Sequence, residues 1–213
     1  MSVLSYTQPL PYDNILDQSY PRLTKSGTIT TGNLSAGAVL GRINTAVGTP
    51  AYGGDNTGDG TIGTISLGAQ ATGGIYNLIC TTGGSGTAAR FTITDPLGNV
   101  ISTVIASGSQ QTTTHLVFTI TAGTVAFAIG DVITVPVLAG NYKLSASAAV
   151  DGSATPVAIL LTDADASSAS VEALILVAGA VNSRSLTFGT GHSAGTVVEP
   201  LRIRGIHLVT ASL

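Results

Sequence analysis

The chain has 213 residues and a formal net charge of −3, with 44% hydrophobic and only 9% charged residues. The hydrophobic fraction is high enough for a packed core and excludes wholesale disorder, whereas ordinary globular domains have roughly 25% charged residues. The eight Lys and Arg residues form no cluster that could neutralise a phosphate backbone, so the sequence predicts no nucleic-acid binding. No apolar run approaches about 18 residues and no basic-plus-apolar leader opens the chain, so no membrane span or secretion signal is predicted.

Residues 1–26 differ in composition from the rest of the chain. Three tyrosines, three prolines and two aspartates interrupt any regular period. Prolines disfavour a helix, and the tyrosines offer more contact surface than a frayed terminus needs, so we predict an extended arm that becomes ordered on a partner. The residues expected to make that contact are Tyr6, Pro9, Leu10, Tyr12, Ile15, Leu16 and Tyr20. An ordinary frayed terminus is the alternative.

From residue 27 onward the sequence reads as strands and turns. Short strands are predicted at 28–31 and 38–43, and a stretch dense in glycine and proline at 48–63 is typical of a crossing between modules. Six alternating segments follow at regular spacing, which favours a small antiparallel β-sandwich. These segments are residues 61–67, 75–81, 89–95, 100–106, 115–121 and 131–137.

The strand pattern of the first part of the chain resumes at Gly140. A short helix is predicted at 197–204, with Pro200 near its start, where the missing N–H costs little. The strands predicted around it are residues 143–149, 157–162, 171–177, 185–188 and 206–210. The sequence therefore predicts an all-β chain with one short helix. Segment 46–139 holds four aspartates and one arginine and so carries the whole net charge, which supports two modules with different surroundings.

The segment Gly191-His192-Ser193-Ala194-Gly195 matches the G-x-S-x-G nucleophile elbow of hydrolases. That turn requires a buried strand before the serine and a long helix after it. Here β-branched residues and a proline follow, and no βαβ pattern occurs anywhere in the chain. We therefore interpret the segment as a glycine-rich loop and predict no enzymatic activity.

Other motifs with chemical potential are equally weak. Residues 58–63 fit G-x-G-x-x-G but open a strand, so no helix N-terminus is available for a pyrophosphate. The pair Asp163 and Asp165 is more typical of a polar turn than of a glycosidase, and Asp55 and Asp59 lack the later Glu of a calcium loop. The three histidines have no metal-ligand spacing, and the single cysteine, Cys80, is expected to be a buried small hydrophobe. The sequence thus predicts no metal and no cofactor.

Four segments in a fixed order resemble the lambda-type head decoration family of tailed bacteriophages. They are Ala36-Gly37-Ala38-Val39-Leu40-Gly41, then Ala148-Ala149-Val150-Asp151-Gly152-Ser153, then Pro156-Val157-Ala158-Ile159-Leu160 with Asp163 and Asp165, and finally Leu201-Arg202-Ile203-Arg204-Gly205-Ile206. The resemblance implies a compact decoration domain of the β-clip or β-tulip type with a short helix. It also implies homotrimers at the three-fold positions of the capsid, with an N-terminal arm that adds to the β structure of the shell.

With this resemblance, the chain divides into three parts. Residues 1–26 are the expected capsid-binding arm, 27–45 with 140–213 form a discontinuous head-decoration domain, and 46–139 is an inserted Ig-like β-sandwich module. The implied partners are the major capsid protein and further copies of the chain, with no nucleic acid and no membrane. The implied location is the outer surface of the virion capsid, and the host cytoplasm during assembly, where the protein stabilises the shell. A tail-associated structural subunit and a surface carbohydrate-binding β module are the alternatives.

Overall fold

A computed structural model describes residues 14–17 and 20–210. The chain divides into two compact units. Unit 1 consists of the described residues up to Arg42, together with Asn141–Ala148 and the described residues from Thr155 onward. Unit 2 consists of Ile43–Gly140 and Ala149–Ala154. No helix in the described ranges is long and apolar enough to cross a membrane.

The described residues form sixteen strands and one α-helix, α1 (Ala194–Ile203). Short 3-10 turns occur at Gly86–Ala88 and Ser183–Ser185. The first eight strands are β1 (Leu23–Ile29), β2 (Gly32–Leu34), β3 (Val39–Val47), β4 (Ala51–Tyr52), β5 (Thr61–Ile62), β6 (Ser66–Leu67), β7 (Gly74–Thr82) and β8 (Arg90–Thr94). The others are β9 (Val100–Ile105), β10 (Ser107–Thr112), β11 (Leu116–Thr121), β12 (Val132–Leu144), β13 (Pro156–Leu160), β14 (Ala164–Ala166), β15 (Val171–Asn182) and β16 (Ile206–Val209). The chain passes between the units four times, within β3, within β12, and on either side of Ala149–Ala154.

The sheet of unit 1 is buried on both faces. Strands β1, β15, β13 and the first part of β3 lie side by side in antiparallel pairs, β16 runs parallel to β15, and β2 pairs with β14. Adjacent residues of one strand point to opposite faces, so Val39 packs in one core with Ile159, while Leu40 packs in the other with Ile29 and Tyr142. Burial on both faces explains the continuous apolar runs of β13 and of β15 after Glu172.

Helix α1 covers one face of this sheet. Val197 and Leu201, one turn apart, are fully buried among Val39, Ile159 and their neighbours. The helix begins three residues earlier than predicted, because Ser193 occupies the N-cap position and its backbone N–H donates to the hydroxyl of Thr196 at 2.9 Å. Pro200 lies in the second half of the helix rather than near its start, and the helix continues past it to Ile203.

Unit 2 is an antiparallel arrangement of two sheets around one core. The first sheet has the order β12, β7, β8, β9, with β4 beside β12, and the second has the order β10, β11, β5, with β6 beside β11. Alternate residues of both sheets fill a common core that includes Tyr76, Phe91 and Phe118. The rings of Phe91 and Phe127 meet edge to face at 4.9 Å between centroids. Period-two alternation thus produces the strands that the sequence predicted here.

The prediction of an all-β chain with one short helix is confirmed, but several details differ. The strand predicted at 143–149 ends at Leu144 as the continuation of β12, and the short strands β2, β4 and β14 were not predicted. Strand β1 begins at Leu23, within the range predicted for the arm, because its backbone pairs with β15 although its side chains are mostly polar. The segment 61–67 is broken into β5 and β6. Strand β10 was not predicted, since its residues are Ser, Gly, Gln and Thr without apolar alternation. Residues 185–188 form no strand and make only an isolated bridge between Ala38 and Thr187.

Candidate functional site

The structure separates the residues predicted for the arm into three groups. Ile15 and Leu16 are buried, with 5% and 6% of their surface exposed, in the core of unit 1 that also holds Val181 and Leu201. Tyr20 is about half exposed, at 49%. The other four predicted contact residues, Tyr6, Pro9, Leu10 and Tyr12, lie outside the described residues.

The segment Asn14–Asp17 continues the antiparallel pairing of β15. Leu16 forms a bridge with Val181, the N–H of Asp17 donates to Ala180 O at 3.0 Å, and the N–H of Asn182 donates to Ile15 O at 2.8 Å. The hydroxyl of Ser185 donates to Asn14 O at 2.9 Å. We call Ile15 and Leu16 the anchor, because two buried side chains and these backbone bonds attach this segment to its own domain. The anchor side chains are inaccessible to a partner in this arrangement, and the contact role of the arm as a whole stays a prediction.

The G-x-S-x-G segment forms the start of α1. Ser193 is the N-cap residue, and the ring of His192 bonds to the hydroxyl of Ser145, with 3.2 Å between Nε2 and Oγ. Ser145 is fully buried, so this bonded pair is closed to a substrate, and the exposed serine of the motif, Ser193, caps α1. The other ring nitrogen of His192 lies 3.4 Å from the hydroxyl of Thr196. These bonds connect the start of α1 to Ser145, which directly follows β12, and they stabilise the fold.

Among the residues that the structure describes, Asp131 is the most deeply buried carboxylate, and it bonds loops of unit 2 to one another. Burial raises the pKa of Asp131, but the backbone N–H groups of Ala128, Thr57 and Gly58 donate to its carboxylate and bring the pKa below its usual value. These three bonds measure 2.9, 2.8 and 2.9 Å. The sequence predicts a strand that begins at Asp131, but it does not reveal these bonds, because Thr57 and Gly58 lie 74 and 73 residues away along the chain.

The glycine-rich loop near Asp59 is likewise internally bonded. The hydroxyl of Thr124 and the N–H of Val125 donate to the Asp59 carboxylate at 2.7 and 2.8 Å and lower its pKa. A shallow cleft of ≈ 300 Å³ lies beside it, lined by Tyr52, Gly53, Asn56, Gly58, Asp59, Gly60 and Thr61. Asp59 already accepts hydrogen bonds from Thr124 and Val125, and Asn56 bonds to the backbone N–H and C=O of Val132. The polar side chains of this cleft therefore stabilise the loops that form it.

The remaining candidate residues also make structural contacts. The predicted polar turn at Asp163 and Asp165 is wrong, since Asp165 lies in β14, which pairs with β2. Asp163 accepts from the N–H of Ala36 at 2.8 Å, and Asp165 accepts from Ser167, which follows β14. His115 bonds to the hydroxyl of Tyr76 at 3.0 Å, and burial lowers its pKa. Cys80 is buried, which raises the pKa of its thiol. Within the described ranges, no group of three or more His, Cys, Asp or Glu side chains could hold a metal ion.

Gly37, in the first segment of the family resemblance, has a role that the sequence did not reveal. Its φ angle is +93°, and a Cβ atom at this position would lie 2.2 Å from Ser185 O. Its N–H donates to Leu160 O at 2.8 Å, and its carbonyl accepts from the N–H of Thr187 at 2.9 Å. Gly37 therefore joins β3, β13 and the segment before α1 at a point where no side chain fits.

Comparisons with solved structures give little information about this chain. Two crystal forms of FlgL from Xanthomonas campestris match it with 20% and 22% sequence identity and a TM-score of 0.36 in both cases. The matches cover 49% and 48% of this chain and 33% of each FlgL chain, so the chain spans about a third of those proteins. No curated protein matches the sequence.

A family model gives the informative match. The model of the bacteriophage lambda head decoration protein D matches residues 92–199, from within β8 to within α1. The matched range contains the second and third segments of the resemblance, and it begins inside the segment that the sequence analysis treated as an insert. Because the match covers just over half of the chain, this protein belongs to the bacteriophage lambda head decoration protein D family.

Proposed function

We propose that this protein coats the outer surface of a tailed-phage head, where homotrimers bind the major capsid protein at the three-fold positions and stabilise the shell. The observation that supports the proposal is the family match over residues 92–199, which includes the last strands of unit 2 and, in unit 1, strands β13 to β15. The protein would act during assembly in the host cytoplasm and remain on the virion.

The surface chemistry of the chain suits a protein that works by binding. With 9% charged residues, few ionic groups need to lose their hydration when a partner covers the surface. Large apolar side chains are also exposed on both units, among them Leu23, Ile129 and Val150. A protein that binds only the mature shell lowers the free energy of that state by mass action and so raises its resistance to heat.

Quantitative mass analysis of purified virions tests this role directly. We expect a copy number close to that of the major capsid protein, density at the three-fold positions of the head, and DNA release at lower temperature from heads that lack the protein. Re-addition of the purified protein should restore the release temperature, which separates a direct effect from an assembly defect. A few dozen copies per virion, or equal heat resistance with and without the protein, would contradict the proposal.

We further propose that the arm contacts the capsid through the residues that precede the anchor, Tyr6, Pro9, Leu10 and Tyr12. Prolines keep such a segment out of helical conformations, and tyrosine supplies a large contact area while losing little rotamer freedom on ordering. An extended segment can also pair its backbone with an exposed sheet edge of another protein. Tyr20 is exposed next to the anchored segment and could add to the same contact.

We propose also that residues 46–139 are an insert that folds by itself, so that its removal should leave a folded protein. The two ends of this segment lie side by side in unit 2, since the hydroxyl of Thr45 donates to Leu138 O at 3.3 Å. Joining residues 45 and 140 by a short Gly/Ser linker adds little loop-closure entropy. We expect a single cooperative unfolding transition in circular dichroism, and retained binding to heads.

The family match provides the counter-argument to this design, because it begins at residue 92, inside the excised segment. If strands β8 to β12 belong to the domain that the family shares, the excised chain should aggregate or unfold without cooperativity. The segment 46–139 expressed by itself provides the matched test, because it should unfold in a single cooperative transition if it is a self-contained module.

A further inference from the structure

Strand β9, Val100–Ile105, leaves one edge of unit 2 open. It pairs with β8 along one side, in a register that runs from Arg90 opposite Ile105 to Thr94 opposite Val100. No described residue pairs with its other side. The backbone N–H and C=O groups on that side are therefore available to an additional strand.

This strand lacks the features that usually keep an edge from pairing with another chain. Its sequence is Val-Ile-Ser-Thr-Val-Ile, which has five β-branched residues and no proline, glycine or charge. Strand β1, in contrast, pairs with β12 at its end through Ile29 and Tyr142 and carries Lys25 and Gly27 near its centre. Edge strand β10 is interrupted by a register shift around Gly108, whose φ angle is +74°.

Apolar side chains are exposed at the hairpin end of the same edge. Leu97 in the turn between β8 and β9 is 56% exposed, and Val100 is 66% exposed. Both would lose contact with water if a strand were added beside β9, which adds a hydrophobic contribution to the backbone hydrogen bonds.

We propose that β9 pairs with the β9 strand of a second copy of this chain, antiparallel and around a two-fold axis. Charge identifies a second copy as the occupant, because residues 96–112 contain no charged side chain and identical strands can meet without repulsion. The nearest acid, Asp95, is occupied by its own turn and accepts from Leu97 N at 2.9 Å and Asn99 N at 2.8 Å. A two-fold contact uses the same surface on both copies and by itself closes at two. It goes beyond the proposed function and does not depend on it.

The substitution Thr103→Lys tests this pairing. Thr103 is exposed on the outer face of β9, whereas its neighbour Val104 is buried on the opposite face. The substitution therefore leaves the core of unit 2 intact. Two-fold pairing would bring the two lysines close together across the axis. In sedimentation velocity over a range of concentrations, we expect wild-type protein to form a species of twice the mass, and Thr103→Lys to raise its dissociation constant at least about tenfold.

The matched control is Gln110→Lys, which adds the same charge at an exposed position of β10 in the other sheet. It should leave the dissociation constant unchanged, and circular dichroism should show native folding for both variants. Hydrogen exchange of wild-type protein provides a second measurement that needs no variant. The amides of residues 100–105 should become more protected as concentration rises, whereas those of residues 107–112 should not.

Three results would overturn the proposal. The first is an equal effect of the two lysine substitutions, and the second is rapid exchange of the β9 amides at the highest concentration reached. The third is an assembly that forms normally in Thr103→Lys, which would assign self-association to another surface. Protection of β9 only after addition of phage heads would likewise contradict pairing between copies and indicate a capsid strand as the occupant.

Discussion

A chain that lacks residues 1–13 should fold normally but fail to bind phage heads, whereas a chain that lacks residues 1–17 should lose stability as well. The shorter deletion removes Tyr6 and Tyr12 and leaves the anchor in place. The longer deletion removes Ile15 and Leu16, which are both buried in the core of unit 1. Burial of two such side chains contributes about 3–6 kcal/mol, and the entropy of ordering the segment offsets part of it.

Thermal unfolding followed by circular dichroism measures this difference. For a chain of about this size we expect the longer deletion to lower the midpoint by about 5–10 °C, and the shorter one to leave it within error. The full-length variant Leu16→Ala is the matched control, since it should lose about 2–4 kcal/mol and still bind heads at low temperature. If the protein without residues 1–13 saturates heads at the wild-type concentration, the capsid contact lies in the folded units rather than in the arm.

The substitution Gly37→Ala should destabilise unit 1 by about 4 kcal/mol or more, which is at the upper end of single-residue effects. A positive φ angle costs an alanine about 1–2 kcal/mol, and here its Cβ would also lie 2.2 Å from Ser185 O. The backbone around Ser185 cannot retreat easily, because Thr187 bonds to both Gly37 and Val39, at 2.9 Å in each case. The strain must therefore be relieved by breaking hydrogen bonds between β3 and the segment before α1.

Gly32→Ala separates the steric effect from the backbone effect. Gly32 lies in the same unit with a similar φ angle of +89°, but the nearest atom to an added Cβ is Leu34 Cδ2, at an ordinary contact distance of 3.5 Å. We expect Gly32→Ala to cost only about 1–2 kcal/mol in urea unfolding. Equal losses for the two variants would show that the contact with Ser185 O has no energetic weight.

The sequence predicted best where one face of a strand is buried and the other is not. In β8, for example, Phe91 and Ile93 enter the core, whereas the threonines Thr92 and Thr94 lie on the other face, so the alternation is visible directly in the sequence. The sequence did not predict β10, whose polar residues form a strand only because β11 provides a partner. Backbone pairing of this kind depends on tertiary context and leaves no periodic signal.

The arm shows why the candidate site was only partly predictable. Tyrosines and prolines set the N-terminal segment apart in composition, but apolar residues in such a segment have two possible uses. Ile15 and Leu16 are buried in their own domain, although an apolar pair between Asn14 and Asp17 would equally suit contact with a partner. The choice depends on the space left beside Val181 in β15, which only the assembled fold defines.

The anchor also limits how far the arm can reach over a capsid. An extended chain spans at most about 3.3–3.6 Å per residue, so Tyr6 cannot lie more than about 30 Å from Ile15. On the proposed contact between arm and capsid, the binding site for Tyr6 must therefore lie within that distance of Ile15. Such a short tether would keep the arm at a high effective concentration near its site, so that a weak contact would re-form before the whole protein diffused away.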